Sequence, residues 1–320
     1  RMWNYASEEE ALTDVLRLSQ GMTYKAALAG LDLGGGKSVI LGDPRAPKSE
    51  KLFLRFGQMV ETLGGRYITA EDVGTTVADM ETAARVTRHV VGKDAARGGS
   101  GDPSPLTAWG VYCGIRACLK EAFGSDSVKG KRVAIQGVGK VGLPLARLLA
   151  ENGAELVVAD SYVERTLATQ AELAAKGVGV EEIFDVDCDV FAPCALGGIL
   201  NDQTIPRLKC KVVAGASNNQ LLEARHSRAL ADRGILYAPD YCINAGGLIN
   251  VDLERTPPYN LENARTKAAK VYDTLSMVFE KARKDRILPY EAANRLAEER
   301  IDRSRRGGAP GKSAAAAARG

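Results

Sequence analysis

Apolar positions along this chain fall into two periods that alternate. Ser7 and Glu10 have the spacing of a capping box, and Leu12, Val15, Leu16 and Leu18 follow at helical intervals. A second helical stretch, residues 50–63, stops at Gly64-Gly65. Residues 66–70 then read as a strand, with Glu71 and Asp72 at its C-terminal end, and residues 38–41 as a short strand closed by Gly42-Asp43-Pro44. The segment GGSGDPSP, residues 98–105, reads as a hinge or loop entering a second domain. Beyond it come a helix containing Trp109 and a buried strand at 132–136. Further strands fit 155–159, 189–192, 211–214 and 235–238, with helices between them, and two charged amphipathic helices fit roughly 260–284 and 289–304. Strands alternating with helices predict an α/β protein, its second part a doubly wound sheet.

Composition narrows the class. The chain has 320 residues, enough for two domains, with 45% hydrophobic and 26% charged residues. A net charge of +3 gives no case for a nucleic-acid or membrane partner, and no apolar run is long enough to span a bilayer. Six cysteines without CxxC spacing predict reduced thiols in a cytoplasmic protein, and two histidines make a histidine-built metal site or triad improbable. The first residue is Arg1, so the chain is expected to begin inside a longer protein. The end, RRGGAPGKSAAAAARG, is expected to be a disordered, low-complexity tail.

GLDLGGGKSVILGDP, residues 30–44, resembles a phosphate-cradling loop but fails its spacing, because Leu31 stands where the first glycine belongs. The order is also reversed, with a strand after the lysine instead of a helix. The glycines therefore present Lys37 for other chemistry. VAIQGVGKVG does meet its context: Gly137, Gly139 and Gly142 follow a strand and open a helix, and Asp160 ends the next strand 21 residues beyond Gly139. Such glycines let the backbone approach a pyrophosphate at a helix N-terminus. Asp160 can accept hydrogen bonds from an adenosine ribose and would repel a 2′-phosphate, so NAD is expected over NADP. With an NAD site in the same chain, Lys25, Lys37 and Asp72 combine into candidate chemistry. One lysine fixes a negatively charged headgroup, a second, with a lowered pKa, takes a proton from water, and the carboxylate exchanges protons with an amine.

QGMTYKAALAGLDLGGGKSVILGDP, GRYITAEDVGTTVADM, GVGKVG, FAPCALGGILNDQTIP and YAPDYCINAGGLINV together resemble the leucine, valine and phenylalanine dehydrogenases of the amino-acid dehydrogenase superfamily, from Arg1 to about Ser304. The resemblance is nearest to the leucine enzymes. It implies a substrate and oligomerisation domain over 1–104, a Rossmann-type NAD-binding domain over 105–285, a C-terminal helix over 286–305 that returns to the first domain, and the tail over 306–320. A cleft lies between the two domains, and the assembly is a homo-oligomer. The implied reaction converts an L-amino acid, NAD and water reversibly to the 2-oxo acid, ammonium and NADH. On matching positions Lys25 binds the substrate carboxylate, Lys37 activates water and stabilises the carbinolamine oxygen, and Asp72 shuttles the amino proton. Asn219 lies between nicotinamide ribose and substrate. Thr107 and the turn Pro193-Cys194-Ala195 lie beside the nicotinamide, and Lys140 and Val141 complete the glycine turn. An earlier family segment, with a Gly-Gly at the substrate carboxylate, precedes the stretch matched here.

The same matching puts Ala70, Leu248 and Val251 in the side-chain pocket. All three are apolar, and burying an unpaired carboxylate among them would cost several kcal/mol, so glutamate is disfavoured. Leucine, valine or isoleucine is expected, then phenylalanine or tryptophan, then glutamate. A non-catalytic NAD-binding protein is the alternative of a different class.

Overall fold

In a computed structural model, which describes residues 1–94, 99–256 and 258–307, strands and helices form two layered units facing a common cleft. The first half carries β1 (Met2–Trp3), α1 (Glu8–Leu28), β2 (Ile40–Leu41), α2 (Glu50–Thr62) and α3 (Val77–Ala84). Ser7 caps α1 through the Glu10 N–H at 3.1 Å, but the Glu10 carboxylate takes the Ala6 N–H at 2.7 Å, so the expected box is displaced by one residue. Leu12 and Leu16, which define the helical period, are left exposed on this chain's surface. α2 and α3 pack on each other around Phe53, Met80 and Ala83.

The second half begins with α4 (Ser104–Phe123), followed by β3 (Arg132–Gln136), α5 (Gly142–Glu151), β4 (Glu155–Ala159), α6 (Val163–Leu173), β5 (Lys176–Gly177), β6 (Val190–Pro193) and β7 (Val212–Val213). It closes with α7 (His226–Asp232), β8 (Leu236–Tyr237), α8 (Asp240–Ile243), α9 (Gly246–Asp252), α10 (Leu261–Ala269), α11 (Val271–Asp285) and α12 (Pro289–Gly307). β3 to β8 form one parallel sheet in the order β5-β4-β3-β6-β7-β8. Side-chain alternation along each strand fills both faces. Val133, Ile135, Val158 and Val190 enter the core shared with α4, α5 and α11, whereas Ala134, Val157 and Phe191 enter the opposite one. α4 is apolar nearly all round, which is why it can lie inside the protein. α12 returns to α1: Arg300 donates to Ala27 O at 2.8 Å and Leu31 O at 3.1 Å, and the Tyr24 hydroxyl donates to Glu298 at 2.7 Å.

Two expected elements come out differently. Residues 66–70 form no strand; only Thr69 pairs, with Val90, and the chain then turns into the cleft, where no neighbouring strand is available. The stretch at 260–284 is two helices broken at Lys270. Gly98 of the expected hinge and residues 308–320 of the expected tail lie outside the described residues. Among the described residues no helix is long and apolar enough to cross a membrane, and no cluster of metal-ligating side chains occurs.

α4 and α9 cross at Gly246, where a Cβ would fall 2.3 Å from the Leu106 carbonyl oxygen. Gly246→Ala is expected to cost roughly 1–3 kcal/mol, because backbone cannot yield as a side chain does. Gly21→Ala, inside α1 with nothing within 4 Å of its Cβ, should instead stabilise by up to about 1 kcal/mol. Chemical denaturation of both variants checks the pair, and a stable Gly246→Ala protein would contradict the crossing.

Candidate active site

Three stretches far apart in sequence deliver the charged groups. Lys25 projects from the last turn of α1. Lys37 follows the glycine run, whose close packing explains its composition: a Cβ on Gly35 would lie 2.1 Å from Thr23 N, and one on Gly36 would lie 2.8 Å from the Tyr67 ring. The run is thus pressed onto α1 and Tyr67 and leads into β2, not into the helix a phosphate loop needs. Asp72 sits in a turn fixed by its own N–H to Thr75 Oγ1 at 2.9 Å and by the Val73 N–H to its Oδ1 at 2.6 Å. Lys37 and Asp72 form an ion pair.

A cavity of about 380 Å³ is lined by these three side chains, and also by Ala70, Thr107, Val141, Leu248 and Val251. Every catalytic and side-chain-pocket residue expected from the sequence therefore meets in one space, with α4 and α9 forming its far wall. Met22, Phe56 and Met80 add apolar lining that the motifs did not indicate.

Electrostatics separate the two lysines. Burial pulls the Lys25 ammonium down to about 8, and Lys37 adds to the fall, while the carboxylates of Asp240 and Asp72 oppose it. Lys37 is the lysine that Asp72 holds. Burial raises Asp72, but the Lys37 ammonium and the Val73 N–H outweigh it and leave the carboxyl below its ordinary value.

Of the two adjacent asparagines, it is the side chain of Asn218 that enters the cleft, accepting from Lys25 Nζ at 3.2 Å and from Asn244 Nδ2 at 2.8 Å. Asn219 has a left-handed backbone (φ 51°), and its N–H is turned to Asp240 at 2.6 Å. Neither Asn244 nor Asp240 was singled out from the sequence. Both lie inside YAPDYCINAGGLINV, but nothing in that string says which polar residues turn inward.

The glycine turn sits where the sheet's strand order reverses, after β3 and beside the turn that follows β6. Cys194 N–H donates to Gln136 O at 2.7 Å, and Ala195 lies against Gly137. The three glycines differ in what requires them. Gly137 has φ 91°, and a Cβ on it would meet Ala195; a Cβ on Gly142 would lie 1.9 Å from Gly137 O. A Cβ on Gly139 would meet only the end of Arg165, at 3.6 Å, so packing within the chain does not require a glycine there. A dinucleotide pyrophosphate over the α5 N-terminus fits that opening. Lys140 lies in the same turn. Asp160 accepts from Val138 N–H and Tyr162 N–H, both at 2.9 Å. Arg165, one helical turn on, lies 3.8 Å from Asp160 and stacks over Tyr162. The sequence showed no arginine directly after Asp160; helical geometry supplies this one.

Similarity to known proteins identifies the family. The Glu/Leu/Phe/Val dehydrogenase dimerisation-domain model matches residues 1–89, and the Glutamate/Leucine/Phenylalanine/Valine dehydrogenase model matches 98–163 and 160–306. The chain is 56% identical over 306 residues to a leucine dehydrogenase of Thermoactinomyces intermedius, covering 96% of this chain and 83% of that one. It is 47% identical over 308 residues to a valine dehydrogenase of Streptomyces virginiae, covering 95% and 86%. The crystal structure of L-tryptophan dehydrogenase from Nostoc punctiforme superposes with a TM-score of 0.85 at 44% identity, covering 96% of this chain and 88% of that one. Two family models that together span nearly all of the described chain, and relatives this similar along it, establish that the protein belongs to the Glu/Leu/Phe/Val dehydrogenase family.

Proposed function

We propose that this protein catalyses the reversible NAD-dependent oxidative deamination of an apolar L-amino acid, with leucine, valine and isoleucine as preferred substrates. The balance is L-amino acid, NAD⁺ and water to 2-oxo acid, ammonium, NADH and a proton. The observation that carries the reading is the convergence of Lys25, Lys37 and Asp72 in a cavity that Ala70, Leu248 and Val251 also line. The similarity to leucine and valine dehydrogenases points to the same substrates.

In this reading Lys25 holds the substrate carboxylate, with Asn218 steadying its ammonium. Asp72 takes a proton from the substrate ammonium and leaves a neutral amine. A nicotinamide held in the cleft would supply the acceptor for the hydride lost from the α-carbon. Lys37, once its ammonium proton has passed to solvent, takes a proton from the water that attacks the resulting iminium carbon, and as an ammonium again it stabilises the oxygen of the carbinolamine. Asp72 returns its proton to the nitrogen, the C–N bond breaks, and the carbinolamine hydroxyl proton passes to the departing ammonia, giving the 2-oxo acid and ammonium. The Lys37–Asp72 contact lets the pair share these proton movements over a short path. Gly137, Gly139, Lys140, Val141, Gly142 and Asp160 hold the dinucleotide. Thr107, Cys194, Ala195 and Asn219 border its nicotinamide end. A carboxylate at Asp160 would receive a ribose hydroxyl and repel a 2′-phosphate, which favours NAD.

Side-chain selection follows from lining. Glutamate would need a free cation in the pocket, but Lys25 and Lys37 are engaged and the Arg1 guanidinium is turned to Asp14 at 3.1 Å. An aromatic substrate is the second reading, favoured by the similarity to the tryptophan dehydrogenase structure and by Leu248. We further assign residues 1–104 to substrate binding and assembly, 105–285 to the dinucleotide and 286–305 to a helix closing back on the first part. The chain acts as a cytoplasmic homo-oligomer, dimer or larger; sedimentation of a stable and fully active monomer would refute the assembly.

Initial rates of NADH formation with a panel of L-amino acids test the substrate. Branched-chain amino acids should give the highest kcat/KM, and a flat response across the panel would leave only a dinucleotide-binding role. Lys37→Ala should lower kcat by at least about a hundredfold, the scale of losing general acid–base catalysis. Lys25→Ala should act mainly through KM. In the parent, kcat/KM for the amino acid should fall as pH rises past about 8, because the ammonium that binds the carboxylate deprotonates there.

The cofactor site has its own tests. NAD should be preferred to NADP by at least about tenfold, roughly 1.4 kcal/mol. Gly139→Ala should leave thermal stability near parental and weaken NADH binding measured by fluorescence titration. Gly142→Ala should destabilise the fold itself. Equal use of the two cofactors, or an unchanged Kd in Gly139→Ala, would overturn these assignments.

A further inference from the structure

Beneath the cleft lies a carboxylate that the proposed reaction does not use. Asp240 opens α8 and is buried. Its Oδ2 accepts the Asn219 N–H at 2.6 Å, and its Oδ1 accepts the Tyr237 hydroxyl at 3.2 Å. One turn later Asn244 bonds back to Asp240 O at 3.0 Å and aims its amide at Asn218 Oδ1 and Ala216 O. α8 packs against α1, which carries Lys25. One short helix thus grips both ends of the Asn218–Asn219 turn, from below through Asp240 and from the side through Asn244.

A buried carboxylate with two hydrogen bonds still lacks a counter-charge. The groups that act on Asp240 are Lys25 from α1, Tyr237 from β8 and the Asn219 N–H. Those that act on Lys25 are Asp240, Lys37, Asp72 and Cys242. Cys242 and Tyr241 remain neutral, their ionisation pushed far up by burial, and so does the Cys118 thiol that faces Cys242 from α4. Lys25, held by Asn218, is therefore the cation that acts on Asp240 across the Asn218–Asn219 turn, and Lys37 is paired with Asp72.

Building on the amino-acid dehydrogenase reading, we propose that Asp240 is a positioning residue for the carboxylate subsite: it anchors the left-handed Asn218–Asn219 turn whose Asn218 oxygen holds the Lys25 ammonium, and its buried carboxylate beneath that turn is the counter-charge to Lys25. Burial lowers the Lys25 ammonium, and Asp240 is the largest influence restoring it. The carboxylate itself is raised by burial, offset by the Asn219 N–H and Lys25. Each group thus offsets part of what burial does to the other.

Asp240→Asn tests the charge while keeping an acceptor for the Asn219 N–H. The expected result is a rise of about tenfold in KM for the amino acid at pH 8, a fall in kcat/KM that begins about one pH unit earlier on the alkaline side, and a kcat changed by no more than about threefold. Asp240→Glu, which keeps the charge, should restore much of the alkaline limb. A merely structural anchor would not move the pH profile, so a profile superimposable on the parent's overturns the proposal. Denaturation midpoints of Asp240→Asn, Lys25→Met and the double variant give a measure that needs no turnover. Asp240→Asn should cost clearly less stability in the Lys25→Met background than in the parent, and strict additivity overturns the pairing. Should Asp240→Asn fail to fold, recovery of folding in the double variant supports the pairing, and no recovery overturns it. If the parent oxidises no amino acid, the dehydrogenase reading fails and the carboxylate-receiving role with it, while the same cycle still judges the pairing.

Discussion

Charge placed out of water constrains this molecule most. Four ionisable groups, Lys25, Lys37, Asp72 and Asp240, are arranged in and under one cavity. An ion removed from water costs several kcal/mol unless a partner of opposite sign and aligned dipoles replace its hydration. Lys37 and Asp72 answer that requirement by direct contact. Lys25 answers it through Asn218 and the carboxylate beneath. The glycine run, the Asp72 turn and the Asn218–Asn219 turn are the backbone arrangements that let these groups meet, and each is pinned by close contact or hydrogen bonding.

The sheet supplies what those turns need, a fixed platform. Its strand order reverses between β3 and β6, and the turns that follow these two strands carry Gly137 and Cys194 side by side. The third wall, α4, comes from the inside of the protein, where its apolar surface is buried on nearly every side. The lysines and Asp72 come from the other half. The proposed amino-acid dehydrogenase chemistry thus lies where the two halves face each other, with the lysines and Asp72 from one and α4, α9 and Asn218 from the other.

How much of this was legible in the chain follows from the physics of each element. β3 and β4 fall at the expected residues because their apolar runs are bounded by charged and glycine-bearing turns. β5, two residues at the sheet edge with no apolar pattern, left no trace in the sequence. Residues 66–70 had strand-like composition, but a strand needs a neighbour and the cleft provides none. Lys25, Lys37, Asp72 and the apolar trio were readable as parts of long motifs. The choice between Asn218 and Asn219 was not, since it turns on one left-handed residue. Asp240 and Arg165 were hidden for a related reason: what they do depends on which helix end or turn lies next to them in space.

The three glycines of the dinucleotide turn have different masters. Gly142 is held by the Gly137 oxygen and Gly137 by Ala195, whereas Gly139 answers to nothing in the chain itself. A descendant that abandoned the cofactor would keep the outer two for as long as it kept the fold. Selection would release the middle one first. Among distant relatives whose catalytic groups have eroded, the residue at that one position would record whether a dinucleotide still binds there.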